Sequence, residues 1–208
     1  MRSDVLIVAR RDRRPRIQCS GGLAARETEP GTVHLVSAAA TPLGGDSVSV
    51  RIVVEPGALL RVRSAGATIT LPGPATPESH AIWALEVEGE LDVDPQPTVV
   101  AANSRHITST RLAVGGSGRV RVRERIQIGR SGERQGFWSG SLHADVDGSA
   151  LLRHRIELGN GSVADDELAA PMACISELRY PETEAGTAGT ALALARSGCL
   201  STWQGARL

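Results

Sequence analysis

The run Arg119-Val-Arg-Val-Arg-Glu-Arg-Ile-Gln-Ile-Gly-Arg130 alternates with period two, the mark of a β-strand with one covered face. Arg119, Arg121, Arg123, Arg125 and Gln127 fall on one side, and Val120, Val122, Glu124, Ile126 and Ile128 on the other. A carboxylate therefore stands in the middle of an apolar row. Burying it unpaired costs several kcal/mol or raises its pKa, so Glu124 requires a partner, a water-filled cavity or a function. A buried contact that merely holds the sheet together meets the same requirement.

Similar runs recur along the chain. Residues 4–9, 32–40, 47–55, 58–63, 81–90, 99–102, 104–113, 142–146 and 150–158 all read as strands. Pro and Gly punctuate them, as at Pro56-Gly57, Pro72-Gly-Pro74, Gly115-Gly-Ser-Gly118 and the hairpin pair Asp147-Gly148. Short strands between turn residues predict a mainly β domain. The last part, residues 163–208, changes character. Ala164 to Glu177 and Thr187 to Ser197 are rich in Ala and Leu and are expected to be partly helical. At 208 residues the chain suits a single domain, 1–208.

Aromatic residues make up only 2%, so Val, Ile, Leu and Ala must fill the core. The net charge is +0, which argues against a generic nucleic-acid or membrane-surface binder. Charge is nevertheless segregated. Residues 75–97 carry six acids and no Arg, whereas 101–135 carry eight Arg against Glu124 and Glu133. Such blocks either neutralise each other across neighbouring strands or face partners. Cys19, Cys174 and Cys199 are odd in number and widely spaced, forming neither a disulfide framework nor a zinc-finger pattern. The start is too short in apolar residues for a signal peptide, and no later run is long enough to span a bilayer, so a reduced, cytoplasmic protein is expected.

Common catalytic patterns are absent: there is no phosphate-binding glycine loop with lysine, no Gly-x-Ser-x-Gly and no His-Glu-x-x-His. The five histidines are scattered. His143 and His154 flank the Asp147-Gly148 hairpin, where they either meet as metal ligands or face solvent. No catalytic residue and no tightly held cofactor is indicated.

Three stretches together resemble the urease accessory protein family called UreD, or UreH. The first is Pro42-Leu-Gly-Gly-Asp46 with the strand after it and Pro56-Gly-Ala58, similar to the family's Gly-Gly-Asp element. The second is Ser64-Ala-Gly-Ala-Thr68. The third runs from Asp94-Pro95-Gln96 through Glu124 and Gly129-Arg130 to Phe137 and Gly140. Their order over residues 40–160 carries the match, and the ending with Trp203 and Arg207 is also similar. Two positions depart from the family pattern, Pro97 after Pro-Gln and Gln135 in the loop beyond Arg130, both where the family has Glu.

The resemblance implies an elongated stack of antiparallel and mixed β-sheets, β-helix-like, with a few helices toward the C-terminus. It also implies a non-catalytic chaperone that binds apo-urease together with a UreF-type adaptor and a UreG-type GTPase. Such proteins help pass nickel to the urease active site through a polar internal tunnel, so Ni²⁺ would be a transient passenger. Asp46, Ser64, Thr68 and Glu124 are then candidates to line that path. Gly44, Gly45, Gly66, Pro95, Gln96, Gly129, Arg130 and Phe137 are its structural motif residues, and Arg119, Arg121, Arg123 and Arg125 form a possible partner interface. Oxygen ligands hold nickel weakly, which suits passage better than storage. Two other readings stand beside this one: a scaffold in the same complex through which no nickel passes, and an unrelated all-β binding domain or hydrolase. Asp46 capping its turn, and Ser64 and Thr68 serving a bend, are the structural alternatives.

Overall fold

The computed structural model describes residues 1–163, 165, 170–185 and 189–208. The strands in chain order are β1 (Arg2–Ala9), β2 (Arg16–Ser20), β3 (Leu23–Glu29), β4 (Thr32–Ser37), β5 (Ser47–Val54) and β6 (Leu59–Ser64). Next come β7 (Thr68–Thr70), β8 (Glu78–Val87), β9 (Glu90–Val93), β10 (Thr98–Val100), β11 (Arg105–Val114) and β12 (Arg119–Ile128). The chain closes with β13 (Phe137–Val146), β14 (Ser149–Gly159), β15 (Ala173–Tyr180), β16 (Thr190–Ala193) and β17 (Cys199–Gly205).

They form two sheets. One has the order β14-β13-β11-β8-β5-β1-β2, and the other β16-β17-β15-β12-β9-β6-β4-β3, with β10 beside β12 and β7 beside β10. From β4 to β13 the chain passes back and forth between the sheets, and successive strands within each sheet are parallel. The crossover that parallel pairing demands is here a strand of the opposite sheet instead of a helix. The result is a β-solenoid. Antiparallel strands flank it: β2 and β3 at one end, β14, β15, β16 and β17 at the other.

The mainly β, β-helix-like architecture expected from the chain is present. The expected helices are not: no helix occurs among the described residues. Ala173 to Glu177, expected to end a helix, begin β15, and Thr190 to Ala193 form β16. Helix propensity is a weak preference, and β15 satisfies its backbone by pairing with β12 on one side and β17 on the other. Residues 164, 166–169, 187 and 188, also within the expected helices, lie outside the described residues. Among the described residues no helix is long and apolar enough to cross a membrane.

The parallel registers stack inward side chains into rows across one sheet. The row Ile52, Leu85, Leu112 and Ala144 is wholly apolar and buried. Two residues along each strand the row is Val50, Trp83, Thr110 and Leu142, and then Val48, Ala81, Thr108 and Gly140. The interior turns polar partway along the strands. Two apolar clusters flank this zone, a large one around Ile7, Ile52, Leu60, Leu85 and Leu91, and a small one of Val100, Ile126, Ile128, Trp138, Leu158, Met172 and Cys174.

Candidate functional site

Between the two clusters lies a cavity of about 440 Å³, within the range of small-ligand sites. Leu23, Val48, Val50, Val122, Leu142 and Ile156 supply apolar wall, and Trp83 and Trp138 add indole surface. Its polar groups include Ser64, Thr68, His106, Thr108, Glu124, His154 and Ser176. The solvent-exposed turn Ala65–Ala67 and the exposed Gln96 also border it, so this end reaches the surface.

Glu124 occupies the position that the alternation assigned to it, inward between Val122 and Ile126. Burial pushes its carboxyl up to about 7, and a hydrogen bond from the Thr108 hydroxyl partly offsets that rise. Thr108 in turn accepts a hydrogen bond from Trp138 Nε1 at 3.0 Å. A three-residue chain thus links β13, β11 and β12 across the cavity. Trp138 reaches this place because Gly140 leaves room: a Cβ there would stand 2.1 Å from the indole ring. Neighbouring Cys174 has its thiol pKa raised by burial and by the Glu124 charge, so it stays a thiol.

His106 is buried, and its Nδ1 lies 2.9 Å from the Ser79 hydroxyl. Burial, with a smaller contribution from His80, holds it down at about 4, so it is neutral at pH 7. Burial also lowers the pKa of His154. His143 is exposed and pairs in register with Arg153, while His154 turns inward opposite Leu142. The two histidines therefore sit on opposite faces and do not meet.

The structure gathers Ser64, Thr68 and Glu124 around the cavity but leaves Asp46 behind its wall. Asp46 is buried in the turn before β5, where it accepts the Leu43 N–H at 2.8 Å, the Thr41 hydroxyl at 2.9 Å and the α-amino group of Met1. Burial would raise its pKa, but those donors outweigh it and the net shift is downward. Ser64 Oγ donates to Gly66 O at 2.8 Å and accepts the Gln96 N–H at 2.9 Å, tying the bend to the Pro95-Gln96 segment. Among described residues no group of three or more His, Cys, Asp or Glu is placed to hold a metal ion.

The arginine row lies on the other face of β12, and this chain supplies its partners. Arg121 meets Asp92 at 3.0 Å, Arg125 meets Asp94 at 2.8 Å, and Arg119 meets Glu182 at 3.1 Å. Arg121, Arg123 and Arg179 converge on Glu177, whose side chain is wholly buried. Burial alone would raise the Glu177 pKa, but these guanidinium groups bring it down. The segregated charge of the sequence is thus largely met across adjacent strands.

Matching against family models pairs residues 16–199 with UreD urease accessory protein. The chain belongs to the UreD family. It is 39% identical over 145 residues to urease accessory protein UreD 1 of Saccharopolyspora erythraea, a match covering 69% of this chain and 57% of that one. With urease accessory protein UreD of Frankia alni it is 42% identical over 159 residues, covering 72% of this chain and 53% of the relative. The chain thus spans about half the length of these curated relatives. A third relative, from Streptomyces coelicolor, is 31% identical over 173 residues, with 78% and 68% covered.

The UreD motif residues fall at backbone junctions. Gly44 packs so closely on the 73–76 loop that a Cβ would meet Thr76 O at 1.8 Å. Gly129 has φ +77°, and a Cβ there would stand 2.0 Å from Glu133 O. Glu133 closes this loop, accepting the N–H groups of Arg130 and Ala102 at 3.0 Å each and pairing with the Arg130 guanidinium. Those bonds hold its carboxyl down at about 2. In this chain Glu133 itself is the partner of the Gly129-Arg130 element, whatever stands at Gln135. Pro95 O accepts from Arg125 Nη2 at 2.7 Å, and Phe137 packs under Arg105, whose guanidinium carbon is 3.9 Å from the ring centroid.

The motif reading left out His106, Thr108, Trp138 and His154. Their signal was the phase of alternation. Counting back by twos from Leu112 and Val114 puts Thr110, Thr108 and His106 inward, and His154 lies between the inward Leu152 and Ile156.

Proposed function

We propose that this chain is a non-catalytic urease maturation factor of the cytoplasm. In this reading it acts with apo-urease, a UreF-type adaptor and a UreG-type GTPase, and Ni²⁺ passes through its interior as cargo. The observation that carries the reading is Glu124, a carboxylate inside a cavity that reaches the surface at the Ser64–Thr68 bend. Ser64, Thr68 and Thr108 offer hydroxyl oxygens along the same wall.

The chemistry suits transit. Glu124 rests largely protonated below pH 7, which spares the interior an uncompensated charge. An arriving dication replaces that proton as the carboxylate's counter-charge and leaves when the proton returns. Oxygen donors bind nickel weakly, so the ion is not trapped. Asp46 takes a structural part here, as the cap of the turn before β5.

The experiment is Glu124→Gln in the protein co-expressed with urease and its two partners. Nickel content of purified urease should fall while pull-down of the complex is unchanged. Normal nickel content with intact assembly would overturn the passage.

A further inference from the structure

We propose that His154 is a second station for the dication in the same cavity, and the one that lets the passage discriminate Ni²⁺ from Mg²⁺ and Ca²⁺. The inference rests on the passage reading above. A path of carboxylate and hydroxyl oxygens suits Mg²⁺ and Ca²⁺ as well as nickel, and those hard ions bind imidazole poorly. Selectivity requires a nitrogen or sulfur donor somewhere along the wall. His106 is anchored through Nδ1 to the Ser79 hydroxyl, and neither of its ring nitrogens is among the buried polar atoms left without a partner. His154 is different: its Nε2 is buried and has no hydrogen-bond partner among the described residues.

A buried imidazole nitrogen left without a partner is destabilising, so its retention inside the cavity calls for a ligand. With the proton on Nδ1, Nε2 offers a free lone pair. Burial keeps the ring neutral, the state a metal requires. The charged neighbours do not interfere: Arg153 is paired with Asp145 at 2.6 Å and Arg155 with Glu157, both on the outer face of β14. β14 is the edge strand of its sheet, and His154 lines the cavity there beside Leu142 and Ile156. One imidazole is enough to prefer nickel and too little to retain it.

The test uses the full-length protein in two measurements. In the first, paramagnetic Ni²⁺ is titrated against the ring resonances of His154. Selective broadening by Ni²⁺, and none by Mg²⁺, is expected; no broadening overturns the proposal. In the second, His154→Gln is co-expressed with urease and both partners under limiting nickel and excess magnesium. Urease nickel content should fall about tenfold and recover when nickel is raised, whereas the deficit of Glu124→Gln should persist at high nickel. Normal loading of the His154 variant beside a deficient Glu124 variant would overturn the second station alone. Normal loading of both would overturn the passage with it.

Discussion

Glu124 and His106 face one cavity and answer pH in opposite directions. The Glu124 pKa rises from 4.5 to about 7 on folding, so the folded state holds its proton longer and stability falls as pH rises from about 4.5 through 7. The His106 pKa falls from 6.5 to about 4, so the unfolded state binds the proton first and stability falls as pH drops from about 6.5 through 4. Each shift corresponds to roughly 3 kcal/mol at full extent. Glu124→Gln should therefore stabilise the protein at pH 8 by up to about 3 kcal/mol in urea unfolding, and leave a curve that rises with pH between 4 and 6.5. His106→Gln should leave the opposite slope. A Glu124 variant no more stable than the parent at pH 8 would show that the charge is compensated in the native state. Gly140→Ala drives a Cβ into Trp138 and should cost at least about 1–3 kcal/mol, with a shift in tryptophan emission. At this scale the sequence exposed Glu124 because it broke an apolar row. The inward side of His154 and the β11 polar row stayed hidden because His and Thr are ordinary on either face of a strand, and only a neighbour's phase tells which.

Among the elements, β12 combines the two faces of the problem: one bears the cavity carboxylate, the other a ladder of guanidinium groups. Glu177 is the keystone of that ladder, wholly buried and shared by Arg121, Arg123 and Arg179. Glu177→Ala leaves like charges facing each other and should cost about 3–5 kcal/mol. Arg119→Ala, at a half-exposed pair with Glu182, should cost no more than about 1 kcal/mol. Thermal melts of the two variants separate the cases; similar small losses would mean that water or other side chains satisfy the ladder. The strand itself was legible, since alternation fixed its faces and the acidic block supplied its partners. The strand character of β15 was not. Ala173-Cys-Ile-Ser-Glu-Leu has the composition of a helix, and its neighbours β12 and β17 come from distant parts of the chain. Long-range pairing decided against local propensity.

At the scale of the molecule, the many short strands and turn signals announced a β protein, but not the alternation between two parallel-stranded sheets that makes it a solenoid. That order depends on which strands become neighbours, information spread over the whole chain. The cavity has one more consequence. It separates the large apolar cluster from the small one, so each end is expected to open with its own free energy. Native-state hydrogen exchange should resolve them. Amides of β10, the start of β13 and the start of β15 should exchange through a local opening well below the global unfolding free energy, while those of β1, β5 and β8 exchange only with it. Ligands that bridge the cavity wall would raise the lower value toward the higher. The polar cavity between the two apolar clusters thus makes one end of the protein yield before the other, and a ligand bound across it would join the two into a single cooperative unit.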